Sequence, residues 1–497
     1  MLLRPNRSDA RRIAFALGRV ILVVGAAGLL PLAWAIGKRE WASAVAFVLM
    51  IGIAALIGSV STLVAPKDPR LRWSHGMTVV ALAWLAVPAL GALPLYLSGH
   101  YGSMVDAFFD AMSGVSTTGL SVIQDLDHLS ESVNIWRHAL QFLGGQGIVL
   151  AALTFFAATG ILSLYYGEGR DERIFPSVMS TARFIWLVSG VHAAVGVTVY
   201  TLEGVSRLGY SWSRALFHGA NVFMAAFDTG GFTPQSTSLM YYHSLTFEVT
   251  TAVLMIAGAI SFSLHHMWWR KREGSFKNLE VRTILITFGI TLTLGLVGLA
   301  AQGLYNDVGS LTRRGFFQVL SAHTGTGFAT VSSSDLADWQ GLAFVGMAMA
   351  MALGGMASST AGGVKSLRVG LTVRAIFDSV RGALLPEKAV VSRTYRQNGQ
   401  RHLTPQLAQS VMVISLLYVG LYLAGAAVGV AYGYPLQDAL FESVSASAAV
   451  GLSVGITSPT MPVLMKIIMI GQMWLGRLEF IAAFSLVGFV ASWVVGE

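Results

Sequence analysis

Cysteine is absent from the 497-residue chain, which excludes disulfides and thiolate metal sites and leaves compartment without a redox argument. Charge is scarce too: 12% of the residues are Asp, Glu, Lys or Arg, against about 25% in an ordinary soluble domain. Hydrophobic residues make up 54%, and mean hydropathy is +0.64, so an integral membrane protein is expected. Proline is limited to 13 residues while glycine reaches 54, which suits packed membrane helices with a few deliberate breaks. No H-E-x-x-H, G-x-S-x-G or dinucleotide fingerprint occurs in a plausible context, so no catalytic residue is assigned. The net charge of +8 could suggest nucleic acid, but in a membrane chain the sign of each loop says more than the total, and no nucleic-acid partner is expected. A basic N-terminal tail leads into an apolar segment longer than a signal h-region and without an obvious small-residue cleavage site, which reads as a retained helix.

Apolar runs long enough to cross a ~30 Å hydrocarbon core fall at residues 13–36, 41–65, 75–98, 136–165, 182–203, 244–268, 281–303, 340–377, 406–432 and 461–494. They predict an all-α polytopic membrane protein with about ten transmembrane helices. With the N-terminus in the cytoplasm and the spans alternating, 24 Lys and Arg fall inside against 7 outside, and Lys466 and Arg477 lie within the last span. This bias sets the orientation.

Four segments between spans, all on the outer side, are of another kind. They read "DAFFDAMSGVSTTGLSV", "RALFHGANVFMAAFDTGGFTP", "RGFFQVLSAHTGTGFAT" and "DALFESVSASAAVGLSV". Each couples an apolar stretch too brief to span with a run of small and hydroxyl residues. Phe109, Phe317 and Phe441 precede Gly119, Gly327 and Gly451 by ten residues, and Ser113, Ser321 and Ser445 precede them by six. Phe217 lies fourteen before Gly231, an excess of about one turn at ~3.6 residues per turn, which predicts a longer or displaced short helix there. The residue after each glycine is large and apolar (Leu120, Phe232, Phe328, Leu452), whereas the one before is Thr118, Gly230, Thr326 or Val450. Glycine and valine offer no side-chain oxygen, so a ligand common to the four loops must be held by backbone, with glycine supplying the positive φ that aligns successive carbonyls. Around one axis, four such loops would form an oxygen ring that replaces the hydration shell of a monovalent cation. Each preceding helix would add roughly half a negative elementary charge at its C-terminus. The alternative, re-entrant turns whose glycines only permit packing, is disfavoured by the internal repetition.

This unit of span, short helix, glycine loop and span, repeated four times, resembles the TrkH/KtrB/HKT superfamily of potassium and sodium transporters. The resemblance covers residues 70–497 and is carried by "STTGLS", "TGTGF", "AAVGLS", "FLGGQGIV" at 142–149 and "AGAISFSLHH" at 257–266. Two helices ahead of the first repeat make the chain more similar to the TrkH branch. The resemblance implies a fold like that of a potassium channel whose four subunits were fused. Residues 1–70 are a two-helix extension, followed by pore repeats at 71–170, 171–275, 276–400 and 401–497. It implies a filter built from Thr117, Thr118, Gly119, Thr229, Gly230, Gly231, Gly325, Thr326, Gly327, Ala449, Val450 and Gly451. It also implies potassium as the transported ion, because Gly119 stands where serine accompanies sodium in some members, and it implies no organic cofactor. The second loop, "FDTGGF", departs from the asparagine-containing pattern of the family. Asp228 there is either a solvated helix-end carboxylate or an ion ligand.

"LGGMASSTAGGVKS", residues 353–366, is made of poor helix formers, so a mid-membrane break is expected on local grounds. The resemblance implies an intramembrane gate at this place, with Gly354, Gly355, Gly362 and Gly363. A phosphate-binding loop does not fit, because Val364 separates Gly363 from Lys365. Lys365 is either a gate residue or a marker of the cytoplasmic boundary. Arg477 and Glu479 lie inside the last apolar run, where a charge costs on the order of 3 kcal/mol. Two residues apart on a helix, they do not face each other, and the resemblance implies that Arg477 faces the pore below the filter as a barrier to cations.

His265 and His266 precede "MWWRKR" and suit an interfacial belt better than a metal site. Asp106, Asp110, Asp125, Asp127, Glu131, Asp335, Asp338, Asp438 and Glu442 are expected to form a solvated outer rim that concentrates cations. The basic stretch 378–403, with Arg381, Lys388, Arg393, Arg396 and Arg401, would meet anionic membrane lipid or dock a regulator. The resemblance implies a homodimer with one pore per protomer and a cytosolic TrkA-like nucleotide-binding subunit, in the inner (plasma) membrane of a bacterial cell. Two rival functions stand beside it. A sodium- or proton-coupled secondary transporter would rock inverted repeats, whereas these four share one polarity; the other rival is a membrane scaffold or sensor that transports nothing.

Overall fold

The computed structural model describes residues 6–64, 71–147, 177–270, 274–386 and 394–495. The predicted span 136–165 beyond residue 147, and Lys388 and Arg393 of the basic stretch, lie outside the described residues. Among the described residues, six helices are long and apolar enough to cross a membrane: Arg7–Lys38, Trp41–Leu63, Trp73–Leu97, Val178–Ser206, Leu279–Gln302 and Pro405–Ala431. At ~1.5 Å per residue, even the 23 residues of Trp41–Leu63 cover the hydrocarbon core. Their outer faces carry exposed aliphatic side chains such as Leu56, Ile286 and Leu416, as a lipid-facing surface requires.

Four short helices alternate with these: Met104–Val115, Trp212–Phe227, Val308–His323 and Leu436–Ser447. Three begin at side-chain caps, with Ser103, Ser211 and Asp307 accepting from the amides of Asp106, Arg214 and Ser310, which satisfies an otherwise orphaned amide. They are 12 or 16 residues long, about 18–24 Å, and stop inside the protein. All four end four residues ahead of the loop glycine. The displacement expected for the second is therefore absent. Its extra turn is shared with the third helix and lies at the start, away from the loop.

After each loop a second helix returns, and among the described residues none runs on unbroken. The Glu131–Gln146 helix ends at Gly147, whose φ is 90°. Leu245–Ala259 and Phe262–Trp269 meet at 101°, and Val463–Arg477 and Ile481–Val494 meet at 109°. Gly341–Leu353 and Ser366–Ala383 are separated by residues 354–365. The last of these breaks was expected; the continuous spans read at 244–268 and 461–494 are corrected to bent pairs. The cause is close packing. A Cβ on Gly144, Gly258 or Gly476 would collide with the carbonyl oxygen of Val115, Phe227 or Ser447, the last residue of the short helix in the same repeat. A helix can pass that carbonyl only at glycine, and just beyond it the backbone turns away.

Candidate ion pathway

Each short helix closes with the same pair of backbone bonds. Thr118, Gly230, Thr326 and Val450 donate their amides to the carbonyls of Ser113, Ala225, Ser321 and Ser445 at 2.8–2.9 Å. Thr117, Thr229, Gly325 and Ala449 donate to Gly114, Ala226, Ala322 and Ala446. This is the Schellman ending, which needs a left-handed residue at the position after the cap. Accordingly φ is 56° at Thr117, 49° at Thr229, 67° at Gly325 and 53° at Ala449. Three of these are not glycine, so backbone strain on the order of 1 kcal/mol or more is held at each. Two residues on, φ is positive again, at 91°, 72°, 88° and 95° for Gly119, Gly231, Gly327 and Gly451.

The four loops meet in cyclic order. A Cβ on Gly119 would collide with the oxygen of Gly230, one on Gly231 with Thr326 O, one on Gly327 with Val450 O and one on Gly451 with Thr118 O. The first loop thus abuts the second, the second the third, the third the fourth and the fourth the first. Leu120, Phe232, Phe328 and Leu452 are all buried. One member differs: Gly230 O also accepts from Gln141 Nε2 at 2.6 Å, and Phe232 N donates to Gln141 Oε1 at 3.3 Å. Above the ring a cavity of about 330 Å³ is lined by residues of all four loops, among them Gly119, Gly231, Gly327 and Gly451.

A second cavity, of about 20 Å³, lies between Trp84, Gly144, Gly362, Lys365, Arg477 and Glu479. Residues 354–365 pack against the loops beside it. Gly362 N lies 3.5 Å from where a Cβ on Gly325 would be, and a Cβ on Gly362 would collide with Ala448 O. Met356 N donates to Ala259 O at 2.9 Å and Thr360 N to Gly258 O at 3.2 Å, so the segment satisfies carbonyls freed by the bend in repeat two. Gly354 and Gly363 take positive φ at 68° and 80°, and a Cβ on Gly355 would come within 2.9 Å of Ala259 O. Arg477 Nη1 donates to Thr360 O at 2.6 Å and Nη2 to Gly144 O at 3.3 Å. Arg477 and Glu479 do not pair with each other. Glu479 instead bonds Lys365 Nζ at 2.7 Å and the Arg368 guanidinium. Lys365 is buried, at 7% exposure, so it does not mark a wetted boundary.

Several carboxylates read as solvated are not. Asp228 is fully buried and accepts from Gln146 Nε2 at 2.7 Å, while Gln146 Oε1 accepts from Ser189 at 2.9 Å. Asp106 is buried in an ion pair with Lys466 at 2.6 Å, Asp110 pairs with Arg137 at 3.0 Å, and Glu442 is enclosed by Ser453, Val454 and Thr457. Each stands on a short helix packed among the repeats, where only a specific partner makes burial tolerable. Asp125, Asp127, Asp335 and Asp338 do remain exposed, and the His128 hydrogen bond holds the Asp125 carboxyl below its usual range. His265 is buried too, donating to Ala257 O at 2.9 Å, whereas Trp268, Trp269 and Arg270 of that stretch are exposed.

Sequence reading missed four features. Gly144, Gly258, Gly354 and Gly476 follow the loop glycines by 25–27 residues, a register visible had the repeats been aligned further. Glu280 accepts from Gln397 Nε2 at 2.8 Å, from Ser366 Oγ at 3.4 Å and from Ala357 N, linking residues 354–366 to an antiparallel hairpin of Thr394–Arg396 and Gln400–His402. That hairpin, within the basic stretch, had only its Asn398-Gly399 turn as a signal. Gln141 had none.

The family model for TrkH, described as a cation transport protein, matches residues 45–489. An uncharacterized cation transporter of Methanocaldococcus jannaschii is 29% identical over 485 residues, covering 97% of this chain and 96% of that protein. The Trk system potassium uptake protein TrkH of Halomonas elongata is 29% identical over 456 residues, covering 87% and 89%. The crystal structure of the potassium transporter TrkH from Vibrio parahaemolyticus shares the fold, with a TM-score of 0.82 and 24% identity over 96% of this chain and 98% of that one. With the family match running through all four repeats, this multi-pass membrane protein belongs to the TrkH family of cation transport proteins.

Proposed function

We propose that the chain carries potassium inward across the cell's inner membrane through one pore formed by its four repeats. The observation that carries this reading is the cyclic contact of Gly119, Gly231, Gly327 and Gly451 with the carbonyls of the neighbouring loops. Oxygens at and before these glycines, from Thr117 to Gly119, Thr229 to Gly231, Gly325 to Gly327 and Ala449 to Gly451, replace the ion's water. The ion is cargo, and no organic cofactor takes part. The names of the Halomonas elongata and Escherichia coli relatives, Trk system potassium uptake proteins, support potassium as the ion. In this reading the repeat boundaries near residues 70, 170, 275 and 400 divide the chain into an extension and four pore units.

Residues 354–365, with Gly354, Gly355, Gly362 and Gly363, act as the gate, held shut from one side by Arg477 and from the other by Lys365 through Glu479. The N-terminus is cytoplasmic, and the exposed Arg381, Arg396 and Arg401 face a cytosolic TrkA-like nucleotide-binding subunit or anionic lipid. The protein works as a homodimer with one pore per protomer in a bacterial plasma membrane. Uptake of potassium, rubidium and sodium by purified protein in liposomes tests the reading. Selective potassium and rubidium uptake is expected, and equal entry of sodium would refute the filter.

A further inference from the structure

A recurring device stands behind the loops, nine residues ahead of the loop glycine. That position is Asp110 in repeat one, Gln318 in repeat three and Glu442 in repeat four, each at 1% exposure or less. Every one of these side chains reaches past its own loop to the amide three residues beyond the glycine. Val122 N donates to Asp110 Oδ1 at 3.0 Å, Thr330 N to Gln318 Oε1 at 2.9 Å and Val454 N to Glu442 Oε1 at 3.0 Å. In repeat two the corresponding pair is Val222 and Pro234. Proline has no N–H, so no acceptor is needed, and an apolar side chain takes the place. There the strand is held from outside its repeat, with Asn134 Nδ2 donating to Pro234 O at 3.0 Å.

Core packing alone accounts for a buried side chain at each site. It does not account for an acceptor matched to a donor at the same two positions in repeats one, three and four, with both lost together in repeat two. In the size-fit account of selectivity, an oxygen ring discriminates between alkali cations as far as it resists collapsing onto the smaller one, and a bond between the short helix and the segment leaving the ring supplies such resistance. We propose that Asp110, Gln318 and Glu442 are positioning residues that fix the backbone beyond the loop glycines and so sharpen the ring's discrimination between alkali cations. This rests on the ring being the ion path. Asp110 also serves Arg137 and Tyr101, and Glu442 also serves Ser453 and Thr457. Gln318 Oε1 serves Thr330 alone, through its amide and, at 3.4 Å, its hydroxyl. It is therefore the position to test.

Full-length protein in liposomes is compared as wild type, Gln318→Met, Gln318→Glu and the double variant Gln318→Val with Thr330→Pro, reading the ratio of rubidium to sodium uptake. Methionine keeps length and removes the acceptor, and the ratio is expected to fall roughly fivefold to tenfold, the scale on which one buried amide without its partner weighs on an equilibrium. Glutamate keeps an acceptor oxygen and should hold the ratio within about twofold. The double variant copies the pairing of Val222 with Pro234 and should regain most of the loss. In the wild type, hydrogen exchange at the Thr330 amide should be slow. A wild type without preference for rubidium overturns the filter itself. A selective wild type beside an equally selective Gln318→Met, or a loss that glutamate does not rescue, overturns the positioning role. If Gln318→Met does not fold, fast exchange of Thr330 in the wild type or an unselective double variant overturns it as well.

Discussion

Replacing Arg477 by alanine removes the side chain that ties residues 354–365 to the second helices of repeats one and four. Its bond to Thr360 O is 2.6 Å and its bond to Gly144 O is 3.3 Å, and its guanidinium lies 5.7 Å from the Trp84 ring. A hydrogen bond from a charged donor contributes about 1.5–3 kcal/mol; the longer bond and the distant ring are counted as zero. Losing the short bond alone shifts the equilibrium between obstructing and withdrawn arrangements of the segment about 10- to 150-fold. Flux rises by nearly that factor while the withdrawn arrangement is a small minority, and levels off once it dominates. The measurement is rubidium uptake into liposomes holding equal amounts of wild type, Arg477→Ala and Arg477→Lys. Lysine retains the charge on a single-point donor and should fall between the other two. Uptake by Arg477→Ala at or below the wild-type rate, in protein of unchanged size-exclusion profile, refutes the pin.

Gly119→Ser places a side chain at φ 91° against Gly230 O; the strain of about 1–3 kcal/mol should open the ring and lower the rubidium-to-sodium uptake ratio, and an unchanged ratio counts against a backbone filter. Glu479→Gln leaves buried Lys365 and Arg368 without their counter-charge; a loss of about 3–5 kcal/mol should appear as a lower thermal midpoint in detergent, and an unshifted midpoint removes the pair from the account. Lys466→Met should destabilise by a similar ~3–5 kcal/mol, whereas Lys466→Met with Asp106→Leu should recover most of it; equal losses in both variants show that the ion pair is not what the single change breaks. Gly258→Val drives a side chain into Phe227 O and should abolish recovery of folded protein, which gel filtration of the solubilised membrane fraction reports.

The four loops were legible because their features are local. A glycine at fixed spacing from a short apolar helix, followed by a large apolar residue, survives in any context, and the run 353–366 breaks a helix through its own composition. The breaks after Ala259 and Arg477 were not legible, since "AGAIS" and "GRLEF" carry no proline and are each followed at once by further apolar residues. They arise where a second helix meets the end of a short one. The acidic residues were misread for a related reason: Asp106 finds its partner 360 residues away at Lys466, and Asp228 finds Gln146 in another repeat. Without those partners in view, a carboxylate near a helix end reads as solvated.

Membrane residence and a fourfold repeat follow from the sequence alone, because hydropathy and spacing belong to short stretches of chain. Which carbonyl faces which glycine, which carboxylate is paired and what fills the space below the ring were decided only by the tertiary structure. Those outcomes depend on distances between segments that chain order does not specify, and burial reverses the preference of a charged group as soon as a partner comes within hydrogen-bonding reach.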